Sequence, residues 1–167
     1  YQLRTTDTIN RELDTAFMLL KQADNLGSIM RFTISSATRS FMQDALKHMD
    51  EEARFTDDFA GLAHGFRLIL ALTDKYAAVV ANPPYMGRTG MNSTITNFIQ
   101  QYYTIGKWDL FATFMLVGIE KLYDKGKMAM INMHSWMFLD AFESLRTKFV
   151  NSYQIDNMLH LGPNTFD

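Results

Sequence analysis

The 167 residues contain no cysteine, which excludes disulfide bonds and metal sites built on thiolates. No apolar run approaches the roughly 18 residues that a membrane-spanning helix needs, so we expect no membrane span. No signal peptide is recognisable, and with the missing cysteines this predicts a cytoplasmic protein. The net charge of −2 offers no electrostatic case for binding nucleic acid. If the protein handles DNA, most of the phosphate contacts must lie outside this chain.

Glycine is also informative by its spacing, because none of the nine glycines forms a Gly-x-Gly pair. The chain therefore lacks the usual glycine-rich loop for a nucleotide-like cofactor. What remains is ordinary globular composition, with 47% hydrophobic and 20% charged residues. The length is enough for a sizeable hydrophobic core.

Residues 1–75 have apolar positions at helical spacing, so we predict a helical region there. The alternation of Met30, Phe32 and Ile34 predicts one short strand within it. The three predicted helical stripes cover residues 9–20, 41–49 and 59–70.

Residues 76–167 alternate between predicted strands and helices, which indicates an α/β fold. A strand, helix and strand joined by a long crossover should form a parallel, right-handed unit. We therefore predict a partial Rossmann-like sheet of about three strands. The predicted strands are 77–81, 128–131 and 155–161, and the predicted helices are 97–103, 110–122 and one from Ser135 to Phe149.

The segment Asn82-Pro83-Pro84-Tyr85 follows the first of these strands directly. The two prolines end the strand, because neither can donate a ladder hydrogen bond and both fix φ. An amide and an aromatic ring are thereby held at the carboxyl end of a strand, where open α/β sheets bind their ligands. A plain surface turn, with Tyr85 as a packing residue, is the competing interpretation.

The same residues suit the presentation of a planar amino group to an electrophile. The Asn82 side-chain oxygen and the Pro83 carbonyl are two acceptors for the hydrogens of such an amine. Two acceptors would draw its nitrogen toward sp³ geometry and free the lone pair. Tyr85 can stack on the attached ring system, a contact worth about 1–3 kcal/mol per base. Positioning alone can supply much of the rate enhancement.

Several stretches resemble the amino-group methyltransferases that use S-adenosylmethionine, especially the large adenine-specific DNA methylases of restriction–modification and BREX phage-exclusion systems. Residues 76–85 resemble the family's catalytic motif, and Asp109-Leu110-Phe111 resembles the start of its next helix. The resemblance is close over residues 76–167 and weak over residues 1–75. It continues through Lys125–Ile131, through His134-Ser135-Trp136-Met137-Phe138 and through Leu159–Pro163.

The resemblance implies methyl transfer from S-adenosylmethionine to the N6 amino group of a DNA adenine. Flipping that adenine out of the duplex costs a few kcal/mol. Asn82, Pro83 and Tyr85 would be the catalytic residues, and Pro84 and Arg88 would contact the substrate. For Arg88, a solvated loop charge is the alternative.

Asp109 and the tryptophans also have two interpretations each. Asp109 is either a helix N-cap or a residue beside the cofactor. For Trp108 and Trp136, a place in the core or at an interface is favoured over stacking on a base. The four histidines show no metal-binding spacing, and only His134 follows a predicted strand end.

Two departures from the family qualify this expectation. Ala77 occupies a position that often carries Asp, and the Gly-x-Gly cofactor loop is absent. We therefore expect the chain to be a piece of a longer methyltransferase whose cofactor loop lies upstream of Tyr1. Alone it should not methylate DNA, and exposed sheet surfaces should make it dimerise or rearrange.

Three other functions remain open. The same four-residue motif occurs in enzymes that methylate a protein glutamine, and RNA amino groups are chemically similar. The third possibility is a non-catalytic scaffold with a methylase-like fold.

Overall fold

The computed structural model describes residues 5–52 and 60–162, with the side chains of residues 50–52 excepted. The chain divides into two compact units, Tyr1–Lys75 and Tyr76–Asp167. Within the described ranges, no helix has both the length and the apolar character needed to cross a lipid bilayer.

The first unit is helical. Its main apolar stripes pack into one core around Met42, Phe66 and Ile69, which are almost inaccessible to solvent. Phe66 contacts the rings of Phe17 and Phe41 at centroid distances of 5.9 and 6.4 Å. The helices are α1 (Asp7–Leu20), α2 (Ala23–Leu26), α3 (Ser36–Glu52) and α4 (Ala60–Thr73).

The predicted strand at residues 28–34 is wrong. A 3₁₀ turn covers Gly27–Ile29, and residues 30–35 form no strand pairing with the described chain. Met30 is buried, while Phe32 and Ile34 pack against the helical core. The alternating apolar residues are thus satisfied by packing on helices, which requires no partner strand.

The start of α3 is held by a carboxylate from α1. Glu12 Oε2 accepts hydrogen bonds from the Ser35 backbone N–H at 2.8 Å and from the Ser35 hydroxyl at 2.9 Å. The hydroxyl of the buried Thr38 donates to the same oxygen at 2.5 Å. These bonds, led by that from the Ser35 N–H, lower the pKa of Glu12 from its ordinary value of 4.5.

The second unit contains the predicted βαβ arrangement. Strands β1 (Tyr76–Ala81) and β2 (Leu122–Met130) pair in parallel, which confirms the predicted direction. Val79 lies opposite Met128 and Ala81 opposite Met130. The crossover contains α5 (Ser93–Tyr102) and α6 (Leu110–Glu120), and α7 (Glu143–Ser152) follows β2.

The described residues contain two strands rather than the predicted three. Residues 155–161 show no strand pairing and are solvent-exposed. One side-chain contact links this segment to β2, because Lys127 Nζ lies 2.5 Å from Asp156 Oδ2. An apolar run becomes a strand only where a sheet edge offers it a backbone ladder, and this segment has none among the described residues.

Three helix predictions also need new limits. The helix predicted over 97–103 begins earlier, at Ser93, where Asn92 is the N-cap, and it ends at Tyr102. The helix predicted over 110–122 ends at Glu120, because Leu122 already pairs with Tyr76 in the sheet. The helix predicted from Ser135 begins at Glu143 instead. Two 3₁₀ turns precede it, at His134–Met137 and Asp140–Phe142.

Helix α6 covers one face of the sheet and is buried along most of its length. Gly118 makes this close contact possible: a Cβ added there would lie 2.6 Å from Met128 Sδ, which is closer than real side chains approach. The opposite face is open, and Val80 on it is 80% exposed. Packing on the covered face thus fixes α6 against the strands. The N-terminus of α6 can then contact the loop after β1.

Candidate active site

The last ladder bond between β1 and β2 marks the carboxyl edge of the sheet. Ile131 N–H donates to the Ala81 carbonyl at 3.1 Å. Beyond it, Pro83 and Pro84 carry no N–H, so the chain must leave the sheet. Asn82 is exposed there, Pro83 is buried and Pro84 is exposed.

Tyr85 is held at both ends of its side chain. Its hydroxyl donates to the Ile131 carbonyl at 3.2 Å. Its ring meets the buried Phe111 edge-on, with centroids 6.3 Å apart and planes at 82°. Tyr85 as a whole nevertheless remains 46% exposed, so part of its side chain is accessible from solvent.

Asp109 joins the loop after the motif to the start of α6. Its Oδ1 accepts hydrogen bonds from the Met86 N–H at 3.1 Å and from the Phe111 N–H at 3.2 Å. Leu110 N–H in turn donates to the Met86 carbonyl at 2.9 Å. The N-cap interpretation of Asp109 is therefore confirmed, and the same carboxylate also positions the loop. A cofactor contact by Asp109 stays a prediction.

The two proposed amine acceptors are unoccupied by protein donors. Within residues 5–52 and 60–162, neither the Asn82 side-chain oxygen nor the Pro83 carbonyl accepts a hydrogen bond from the chain. Acceptors that the protein leaves unpaired must bond to water or to a bound molecule instead.

Arg88 also pairs with the segment just before α6. Its backbone N–H donates to the Trp108 carbonyl at 3.0 Å, next to an isolated antiparallel bridge between Gly87 and Asp109. The Arg88 guanidinium carbon lies 5.5 Å from the Trp108 ring centroid, and Lys107 Nζ lies 5.2 Å from it. Trp108 is 42% exposed, so it is not a core residue of this unit, whereas Trp136 is buried.

His134 lies in the 3₁₀ turn after β2, and its ring centroid is 5.3 Å from that of His160. No three His, Asp or Glu side chains converge on a metal-binding geometry anywhere in the ranges that the structure covers.

Sequence reasoning missed two features of this edge. The Ile131 carbonyl is the partner of Tyr85, and a backbone acceptor leaves no signal in the sequence. The next residue, Asn132, has a buried side-chain oxygen without a hydrogen-bond partner among the described residues. The sequence offered one signal for Asn132 as a site residue, which is its position directly after the predicted strand 128–131.

An exposed asparagine, a proline carbonyl without a donor among the described residues and a fixed aromatic ring thus follow β1 at the carboxyl edge of the parallel sheet. Residues 7–166 match the Eco57I restriction-modification methylase family. The match covers nearly the whole chain, and the chain belongs to that family.

Two curated proteins are similar over part of the chain. The adenine-specific methyltransferase BrxX of Escherichia coli O9:H4 (strain HS) is 43% identical over 95 residues, which are 57% of this chain. The adenine-specific methyltransferase PglX of Lacticaseibacillus casei (strain Zhang) is 43% identical over 97 residues, or 58% of the chain. The matched stretch spans only 8% of the length of either relative.

Proposed function

We propose that this chain supplies the amine-holding part of an adenine-specific DNA methyltransferase that acts in restriction–modification or phage defence. The observation that carries the proposal is a pair of acceptors without donors among the described residues, Asn82 Oδ1 and the Pro83 carbonyl, next in sequence to the fixed ring of Tyr85. Family membership and the printed names of the two relatives support adenine as the acceptor.

The chain's own residues bind and orient the base. A flipped adenine stacks on the open part of Tyr85, with Pro84 beside it. The N6 hydrogens donate to Asn82 Oδ1 and to the Pro83 carbonyl, which localises the nitrogen lone pair. Both acceptors are uncharged, so the site acts by geometry rather than as a strong base.

The methyl donor implied by the family is S-adenosylmethionine, which supplies the methyl group that the amine accepts. The residues of this chain fit the amine side of the reaction only. No Gly-x-Gly loop occurs among the 167 residues, and Asp109 Oδ1 already accepts two backbone hydrogen bonds. The steps assigned to this chain are therefore binding, orienting and holding the amino group.

The test is methylation of duplex DNA by the full-length protein containing these residues, with tritiated S-adenosylmethionine and mass spectrometry of the nucleosides. We expect N6-methyladenine from the wild type. Asn82→Ala should lower the rate by about 10²–10³-fold, the size of effect seen when one preorganised hydrogen bond to the reacting group is lost. Asn97→Ala, an exposed amide on α5, is the matched control and should keep full activity.

Three outcomes would overturn the proposal. Near-normal activity of Asn82→Ala would remove the mechanism, and label in protein glutamine or in RNA instead of DNA would change the substrate. No transfer to any acceptor would favour the scaffold interpretation. Because Asn82 is exposed, an unchanged thermal midpoint for Asn82→Ala should exclude unfolding as the cause of a loss.

The isolated 167-residue chain is expected to transfer no methyl group, because it carries no recognisable donor loop. Its open sheet face, exemplified by Val80, supports the proposal that it dimerises in isolation. Light scattering that finds only monomers would contradict this part of the proposal.

A further inference from the structure

Three neighbouring side chains beside the amine site have no role in the proposed mechanism. Trp108 presents a large exposed aromatic surface, and Arg88 and Lys107 both lie within cation–π distance of its ring. We call these three residues the Trp108 cluster. In the part of the chain that the structure covers, neither cation forms an ion pair with a carboxylate.

The backbone fixes this cluster close to Tyr85. Arg88 lies three residues beyond Tyr85, so their Cα atoms are at most about 11 Å apart. The Arg88–Trp108 backbone hydrogen bond and the Gly87–Asp109 bridge tie both sides of the cluster together. Backbone contacts therefore fix the positions of Arg88 and Trp108 near Tyr85, whatever conformations their side chains adopt.

The chemistry of the cluster is that of a phosphate contact. Two cations without carboxylate partners form a local positive site on a chain of net charge −2. Guanidinium and ammonium groups both bind phosphate, and the indole limits the conformations that these long side chains sample. The nearest phosphates to a base stacked on Tyr85 are those of its own strand.

We propose that Arg88 and Lys107 bind backbone phosphates of the target DNA strand next to the flipped adenine, and that Trp108 positions both cations. This inference rests on the proposed function in taking DNA as the substrate. It assigns binding of the DNA backbone to three residues. The sequence predicted a substrate contact for Arg88 but none for Lys107 or Trp108.

The experiment measures the affinity of the full-length protein for a fluorescein-labelled mixed-sequence duplex between about 50 and 200 mM salt. The affinity constant K falls as salt rises, so the slope of log K against log salt is negative, and each lost phosphate contact makes it shallower by about 0.9. Arg88→Ala with Lys107→Ala should therefore make the slope less steep by about 1.8. The charge-preserving pair Arg88→Lys with Lys107→Arg should restore most of it.

Trp108 is tested separately, because its role is positioning. Trp108→Leu should raise the KM for DNA while leaving kcat nearly unchanged, and Trp108→Phe, which keeps an aromatic face, should have the smaller effect. Lys148→Ala, at an exposed lysine on α7, is the matched control for one lost charge and should keep the wild-type slope.

The outcomes separate this inference from the proposed function. If the wild type methylates adenine and the double alanine variant keeps the wild-type salt slope, the phosphate contact is wrong and the proposed function stands. An equal loss of slope in Lys148→Ala would also contradict a local contact. If the wild type neither binds nor methylates DNA, both proposals fail.

Discussion

The Tyr85 hydroxyl donates a hydrogen bond to the Ile131 carbonyl across the carboxyl edge of the sheet, at 3.2 Å. One residue comes from the turn after β1 and the other follows β2. The bond therefore couples the orientation of the proposed stacking ring to the alignment of the two parallel strands.

This relationship makes the two functions of Tyr85 separable by substitution. Tyr85→Phe loses only the hydrogen bond, so the free energy of unfolding should fall by about 0.5–1.5 kcal/mol and methylation should largely survive. Tyr85→Ala also loses stacking worth about 1–3 kcal/mol, which should lower kcat/KM by about 5–150-fold. Steady-state kinetics with DNA and thermal unfolding measure the two effects.

The matched controls are Tyr123→Phe and Tyr123→Ala, at an exposed tyrosine on β2. They should leave methylation unchanged. Equal kinetics for Tyr85→Phe and Tyr85→Ala would show that the ring contributes nothing beyond its hydroxyl.

Asp109 should affect both stability and activity, because one oxygen caps α6 and anchors Met86. Asp109→Ala should reduce the free energy of unfolding by about 1–2 kcal/mol and should also lower the methylation rate. Asp109→Asn keeps the accepting oxygen and should lose less of both. Chemical denaturation and the methyl-transfer assay provide the measurements.

Asn92→Ala is the control for this prediction. Asn92 Oδ1 caps α5 by accepting from the Ile95 N–H at 2.9 Å, so its loss should destabilise the protein to a similar degree. If both variants lose the same activity at equal stability, then Asp109 acts only as a cap and the loop anchor has no functional effect.

Glu12 should make the first unit sensitive to acid. The hydrogen bonds from Ser35 and Thr38 lower its pKa in the folded state. Their contribution is therefore complete above the unfolded-state pKa near 4.5 and is lost as pH falls through the lower folded-state value. The thermal midpoint of the wild type, followed by circular dichroism, should decline over that acid range.

Glu12→Gln removes this titration, so its profile should be flatter in acid and its midpoint lower at neutral pH. Asp14→Asn, also on α1, is the control and should retain the wild-type slope. A wild-type slope in Glu12→Gln would assign the acid sensitivity to other carboxylates.

Much of the second unit could be predicted because its signals are local. Two prolines after an apolar run end a strand through missing donors and fixed φ, whatever surrounds them. Asp109 before Leu110 and Phe111 likewise indicates a helix start, and the structure has its N-cap there. The parallel pairing of β1 and β2 followed from the long crossover between them.

The wrong strand predictions share one physical cause. A strand requires a partner edge, and periodicity describes only which side chains seek burial. Residues 30–34 bury theirs against helices, and residues 155–161 find no ladder among the described chain. The competing structures differ in long-range contacts that no short window of sequence contains.

The sequence by itself determined the composition of the candidate site, its place after a strand, and the missing Gly-x-Gly loop. These follow from covalent properties of proline, asparagine and glycine. Only the tertiary structure decided that Tyr85 is held by Ile131, that Asp109 anchors the loop, and that the exposed Trp108 lies within cation–π distance of two cations. Tyr85 lies 46 positions from Ile131, and Met86 lies 23 positions from Asp109, so these relationships depend on how β1, β2 and α6 pack together.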